Sequence, residues 1–257
     1  MVKDMEKILA IIPSRFASTR FPGKPLALVH GVPMVVRTYR QAAKVFADVC
    51  VATDDERILK AVEENGGQAV MTSSSHRSGT DRCLEALQKY SEKSGKTFCG
   101  VVNVQGDEPF IATRQLETLA KTLMTDGVDI ATIVKRATKV SDLMDANRPK
   151  VVVDRNMNAL YFSRSLIPFL RGRELSDCML EELPYYLHVG LYGYRCSALE
   201  RICGMEESFL EKCEKLEQLR WLENGLKIKV AECSCPSYGI DTPDDLERIN
   251  KMDFKEL

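Results

Sequence analysis

The feature that most constrains this chain is a rhythm: short unbroken apolar runs, each ending in a polar loop and followed by residues at helical spacing. The first run, Ile8 to Pro13 (Ile-Leu-Ala-Ile-Ile-Pro), holds no polar side chain. A strand of that kind is covered on both faces, as in a parallel sheet. A loop rich in Arg, Gly and Pro follows from Ser14 to Pro25, and Met34 to Phe46 has helical periodicity. Val49 to Thr53 predicts a second buried strand. Asp54 is the expected N-cap of a helix running through Asn65 and closed by Gly66 and Gly67. Gln68 to Met71 and Val101 to Val104 predict two more strands, with a helix from about Thr80 to Tyr90 between them. Such alternation places helices on both faces of a mostly parallel sheet, where ligands collect at the carboxyl ends of the strands. Two polar loops stand at such ends: Ser14 to Pro25, and Gln105 to Pro109.

The second half is mixed. Ile130 to Val134, Val151 to Asp154, Ala159 to Phe162, Leu187 to Tyr194 and Lys227 to Val230 predict strands, the second and third pairing as a hairpin around Arg155-Asn156. Leu210 to Asn224 predicts one helix closed by Gly225. A last helix is expected to begin at Thr242-Pro243. With no repeat and no low-complexity linker, one continuous domain over 1–257 is expected. Within it, about 1–130 forms the first part, about 131–230 a lobe, and about 231–257 a segment that returns to the first part.

Charge narrows the function classes. Thirty-six Lys and Arg face 37 Asp and Glu, a formal net charge of -1. A nucleic-acid grip needs a basic excess, so no nucleic-acid partner is expected. The run at Ile8 falls far short of the roughly 20 residues of a bilayer span, and charges interrupt the segment before it, so no membrane or secretory segment is expected. The nine cysteines are odd in number and scattered, without a CxxC pair. Cys233 and Cys235 have no His partner at zinc-finger spacing. Free thiols in a cytoplasmic protein are the expectation.

Three segments can carry chemistry. In the first loop Arg15, Arg20 and Lys24 lie within ten positions, with hydroxyls and Gly23 among them. Cations and loop N–H groups suit a polyphosphate, though the spacing is neither Walker A nor GxGxxG, and a solvated basic loop fits equally. Asp107 follows a buried strand, where a carboxylate can hold magnesium or simply cap a turn. Asp241, in Gly-Ile-Asp-Thr-Pro, reads as a second ligand or as the acid before a helix. Together they compose a plausible metal–triphosphate site. Ser78 and Gly79 open a helix whose N–H groups could recognise a base edge or a phosphate, or merely be capped. His188, in an apolar stretch, reads locally as a core histidine. Glu217 and Gln218 read as a solvated helix face. Arg164 could grip a carboxylate with its two-pronged head or pair with a surface acid.

Taken in order, the segments resemble one family, the 3-deoxy-manno-octulosonate cytidylyltransferases, also called CMP-Kdo synthetases. The resemblance is carried by Ile11 to Leu26, His76 to Arg82, Val102 to Pro109, Ala159 to Arg164, His188 to Tyr194, Leu216 to Arg220 and Gly239 to Leu246. It spans about Ile8 to Ile249. It implies a three-layer α/β nucleotide-sugar transferase (Rossmann-like) fold with a mixed central sheet and a smaller dimerisation lobe. The implied reaction joins CTP and Kdo, an eight-carbon keto sugar acid, into CMP-Kdo and pyrophosphate for lipopolysaccharide synthesis. Mg2+ is the implied cofactor and a homodimer the implied assembly.

Matched position by position, the resemblance gives Arg15, Arg20 and Lys24 to the triphosphate, Asp107 and Asp241 to magnesium, and Ser78 and Gly79 to the cytosine. It gives Gln105, Arg164, His188, Tyr192, Glu217 and Gln218 to the sugar acid. For His188 and Glu217 it overrides the bland local reading. The chain departs from the family at Ser14, Phe16, Phe21 and Phe209, where Ala, Tyr, Leu and Pro are commoner; no charge or ligand is lost. An 8-amino Kdo analogue stays open as the sugar, sialic acid is disfavoured, and a regulatory protein without turnover is disfavoured by the presence of Asp107, Asp241 and Lys24.

Overall fold

A computed structural model describes residues 7–17, 21–236 and 238–253. Strand β1 (Ile8–Ser14) sits at its centre, buried at every position but Pro13. Its side chains divide by the two-residue period of a strand. Leu9 and Ile11 enter the core on one face, with Val101, Leu199 and Trp221. Ile8, Ala10 and Ile12 enter the other, with Val36, Val62 and Leu116. Each fully buried side chain of this size contributes about 1.5–3 kcal/mol, so an apolar run without a polar face is what this position selects.

From β1 the chain passes through the small β2–β3 hairpin (Leu28–Val29, Val32–Pro33) and α1 (Met34–Ala42) to β4 (Asp48–Thr53). It continues through α2 (Glu56–Glu64) to β5 (Ala69–Met71). The long helix α3 (Gly79–Ser94) then carries it back across β1 to β6 (Gly100–Asn103) on the opposite side. Strands β4 and β6 both lie parallel to β1. Strand order therefore reverses between β1 and β6, which opens a crevice at their carboxyl ends.

Helix α4 (Thr113–Leu123), β7 (Ile130–Arg136) and the short α5 (Val140–Met144) follow, then the antiparallel hairpin of β8 (Lys150–Val153) and β9 (Ala159–Ser163). Strand β10 (Tyr186–Arg195) runs antiparallel to β6, β7 and β8, and leads into α6 (Cys196–Cys203). Beyond α7 (Phe209–Glu214) and α8 (Gln218–Glu223), β11 (Ile228–Glu232) pairs parallel with β7, and α9 (Pro243–Lys251) ends the described chain. The main sheet is mixed, in the order β11-β7-β10-β6-β1-β4-β5, with β8 and β9 joined at β10.

Several expectations need correction. The N-cap of α2 is Asp55, whose Oδ1 accepts from Arg57 N–H at 2.9 Å. Asp54 instead accepts from Arg82 Nη2 at 2.9 Å. That guanidinium is only 4% exposed, and a buried cation needs a counter-charge. Helix α1 stops at Ala42 and runs on as hydrogen-bonded turns to Phe46. Leu210 to Asn224 is two helices, broken where Lys215 takes a left-handed conformation at φ 52. The break has a visible cause: Arg164 Nε and Nη2 take the carbonyls of Glu214 and Lys215 at 2.6 and 3.3 Å, acceptors a continuous helix would use itself. Helices α4, α5 and α6 and the β2–β3 hairpin were not evident in the sequence pattern.

Candidate active site

The crevice between β1 and β6 is a cavity of about 320 Å3. Arg15, Lys24, Ser78, Gly79, Gln105, Asp107 and Asp241, scattered over more than 220 positions of sequence, all line it. Each arrives for a local reason. Arg15 directly follows β1. Gly23, at φ 71, caps a 3-10 turn over Lys24–Leu26 and folds the first loop back, with its N–H on the Phe16 carbonyl. Gly106 has no room for a side chain, since a Cβ there would lie 2.9 Å from Ser14 Oγ and 3.1 Å from the Pro13 carbonyl. This close approach seats the Gln105–Asp107 turn on the end of β1. Ser78 caps α3, accepting from Asp81 N–H at 3.2 Å. The chain's last segment returns when Ile240 N–H donates to the Asp107 carbonyl at 3.0 Å. Ile240 and Ile249 then pack fully buried among Val29, Met34 and Phe110.

The charges converge. Lys24 Nζ donates to Asp107 Oδ2 at 2.8 Å and to Asp241 Oδ1 at 3.2 Å. One cation thus touches both carboxylates that the sequence pairs as metal ligands. Two carboxylates facing one cation position, open to phosphate oxygens and water, match how magnesium is held. Among the described residues no group of three His, Cys, Asp or Glu could hold a metal ion. Arg20 lies outside the described residues. His76, Arg77 and Arg82 also line this cavity. The sequence assigned them no role, although all three lie in the segment around Ser78.

Of the remaining candidates, Glu217 lines a second cavity. This wider cavity of about 750 Å3 shares Arg77 and Ser78 with the first and is lined further by Glu211, Glu217 and Arg220. Glu217 accepts from Thr80 Oγ1 at 2.9 Å, and burial raises its pKa above the ordinary carboxylate value. His188 packs between Phe162 and Tyr192, with ring centroids 5.1 and 5.2 Å away, and burial lowers its pKa to about 3. Its Nε2 lies 3.0 Å from Thr132 Oγ1. Tyr192 packs edge-on to Trp221 at 5.1 Å. Gln218 and Trp221, on one face of α8, are buried with Nε2 and Nε1 lacking hydrogen-bond partners. Buried donors of that kind ask for an acceptor.

Gln105 bridges the two regions, its Nε2 donating to the Gly190 carbonyl in β10 at 3.0 Å. Arg164, His188, Tyr192 and Gln218 line neither cavity. Arg164 Nη1 donates to the Ala146 carbonyl at 2.9 Å, so all three guanidinium nitrogens hold backbone. Among the described residues no helix is long and apolar enough to cross a membrane.

The cytidylyltransferase family matches residues 9–228. A 3-deoxy-manno-octulosonate cytidylyltransferase of Parabacteroides distasonis is 50% identical, covering 95% of this chain and 97% of its own. One of the same name from Bacteroides thetaiotaomicron is 51% identical, covering 96% and 98%. A solved structure of CMP:2-keto-3-deoxy-manno-octonic acid synthetase complexed with CTP superposes with a TM-score of 0.87 at 38% identity, over 98% of this chain and 100% of its own. A cytidylyltransferase structure from Leptospira borgpetersenii shares the fold at 17% identity, with a TM-score of 0.59.

Proposed function

The chain belongs to the 3-deoxy-manno-octulosonate cytidylyltransferase family, and from that premise we propose that it activates Kdo with CTP, giving CMP-Kdo and pyrophosphate for lipopolysaccharide synthesis. The observation that carries this reading is the convergence of Lys24, Asp107 and Asp241 at the β1–β6 crevice. The anomeric hydroxyl oxygen attacks the α-phosphorus of CTP. A new P–O bond forms, the bond to the β-phosphate breaks, the hydroxyl proton is released, and pyrophosphate leaves.

The residues divide the work. Arg15 and Lys24 bind the triphosphate and meet the charge that builds on the departing oxygens. The N-terminus of α3, at Ser78 and Gly79, offers N–H donors to the nucleotide. Asp107 and Asp241 would hold Mg2+, which on binding neutralises phosphate charge and favours loss of the hydroxyl proton. Glu217, Gln218, His188, Tyr192, Gln105 and Arg164 form the sugar side, by contact or by support of the residues that touch it. His188, with its pKa near 3, stays neutral at working pH and acts as a hydrogen-bonding group rather than a cation.

The same reading takes the protein as a cytoplasmic homodimer. The test of function is pyrophosphate release from CTP with Kdo, its 8-amino analogue and sialic acid side by side, with and without chelator. Release with Kdo that chelation stops is the expected result. Release with the amino analogue alone changes the substrate. No release with any sugar acid overturns the reading.

A further inference from the structure

Glu217 is gripped from two directions. Thr80 Oγ1, on the nucleotide-side helix α3, donates to Oε2 at 2.9 Å. Arg220 Nη2, in α8, donates to Oε1 at 2.7 Å. Arg220 is itself fixed: its side chain is 12% exposed, Nη1 donates to the Met205 carbonyl at 3.1 Å, and Nε lies 3.5 Å from Glu211 Oε2. A surface arginine chosen only for solubility would not be braced in this way. The Ser78 side chain also interacts with the carboxylate, and since a carboxylate has about four lone-pair sites, it keeps accepting capacity beyond these three partners. It faces the 750 Å3 cavity that adjoins the nucleotide cavity through Arg77 and Ser78.

We propose that Arg220 is a positioning residue of the sugar site: it fixes the Glu217 carboxylate between α3 and α8 so that its remaining lone pairs accept the hydroxyls of the sugar acid. The inference rests on Glu217 being a sugar contact, as read above. It gives a physical link between the two substrates, because Thr80 stands in the first turn of the helix whose N-terminus faces the nucleotide.

The charge environment makes the role testable. Burial pushes the Glu217 pKa up most strongly, the Thr80 hydrogen bond and the Arg220 charge pull it down, Asp81 pushes it up, and a hydrogen bond from Ser78 pulls it down. Cys83, Cys203, Tyr192 and Tyr194 also face it, and burial raises the pKa of each, so they stay neutral through an assay range of about pH 5 to 8. Removing Arg220 therefore raises the Glu217 pKa further. If the ionised form accepts the sugar, activity is lost as pH falls through that pKa, and the loss begins at higher pH without Arg220.

The experiment is steady-state pyrophosphate release by the full chain and its R220Q, R220K, E217Q and E217Q/R220Q variants, with thermal melts as the folding control. R220Q should raise the KM for the sugar roughly tenfold or more, the effect of losing a hydrogen bond to a charged group, while the KM for CTP stays within about twofold. The acid limb of kcat/KM for the sugar should move to higher pH in R220Q and back toward the parent position in R220K, which keeps the charge without the planar fork. In the E217Q background, R220Q should add nothing further. Additive losses, an unmoved acid limb, or an equal rise in the KM for CTP would overturn the role. If R220Q does not fold, R220K and E217Q decide: a parental acid limb with a modest sugar defect in R220K supports the role, and a sugar KM unchanged in E217Q removes its premise. A sugar defect in E217Q with none in R220Q sinks the Arg220 role alone.

Discussion

At the proposed phosphate end of the cleft, Arg15, Lys24, Asp107 and Asp241 stand on loops and a 3-10 turn near strand ends, and Lys24 bridges the two carboxylates. At the proposed sugar end, His188 and Tyr192 stand inside β10, packed against Phe162, Tyr194 and Trp221, and Gln218 is buried in α8. The first region works by charge that solvent can reach: the Asp241 side chain is 53% exposed and Asp107 32%. The second works by burial, which holds His188 neutral and raises the Glu217 pKa. A polyanion needs charge and mobile partners, whereas a sugar needs directed hydrogen bonds in a dry, preformed site. On the proposed function, one active site thus joins two kinds of construction.

If that contrast is right, substitutions at the two ends should fail in different ways. The largest effect is expected for Asp107→Asn. Its turnover should fall by roughly a thousandfold or more, the scale of losing a metal ligand or a key electrostatic group, while the melting curve keeps its parental shape and position within a few degrees. Near-normal pyrophosphate release would remove Asp107 from the metal site. Next comes Lys24→Met, expected to cost on the order of a hundredfold in kcat, with a smaller change in the KM for the sugar. A purely sugar-side defect would break the assignment of Lys24 to the phosphates.

Gly106→Ala tests the seating of the phosphate-end loop rather than its charge. The added Cβ must displace Ser14 Oγ or the Pro13 carbonyl. A cost of about 1–3 kcal/mol in stability is expected from overpacking of this kind, with a raised KM for CTP. Parental stability and CTP affinity together would show that the loop gives way freely. The smallest effect concerns the sugar end and pH. His188 binds its proton less readily folded, with a pKa of about 3, than unfolded at about 6.5. Its neutral form contributes full stability above pH 6.5, and that contribution falls as pH drops toward 3. Between pH 7 and 5, the parent should lose up to about 2 kcal/mol that His188→Gln does not lose. Equal losses in both proteins would place His188 in a wetter environment than its packing against Phe162 and Tyr192 implies.

Legibility in the sequence follows the same division. The β1 run, the loops at the ends of β1 and β6, and the start of α9 could be read from residues alone, because apolar runs, caps and clustered charges are local signals. The roles of His188 and Glu217 could not. Their neighbours look like ordinary core and ordinary helix, and only the resemblance to a family raised them. Arg82 and Arg220 end two of the segments that carry the resemblance, but their partners were not legible, since nothing around Arg82 shows that Asp54 will face it, 28 positions away. The Asp54 and Asp55 pair was misread for that reason: either acid can cap α2, and the choice is made by a buried guanidinium from another helix.

By itself, then, the sequence determined which segments become buried strands, where the last helix begins, and which charges stand at strand ends, because each depends on side chains within a few positions of one another. Only the tertiary structure decided that Ile240 N–H meets the Asp107 carbonyl and that Lys24 lies between the Asp107 and Asp241 carboxylates. It also decided that Arg164 breaks the predicted single helix over 210–224, and that Thr80 and Arg220 close on one carboxylate. The reason is physical: those contacts are fixed by packing of the sheet and its covering helices. Burial and pairing at such sites depend on groups brought together by the fold, over separations that no local pattern encodes.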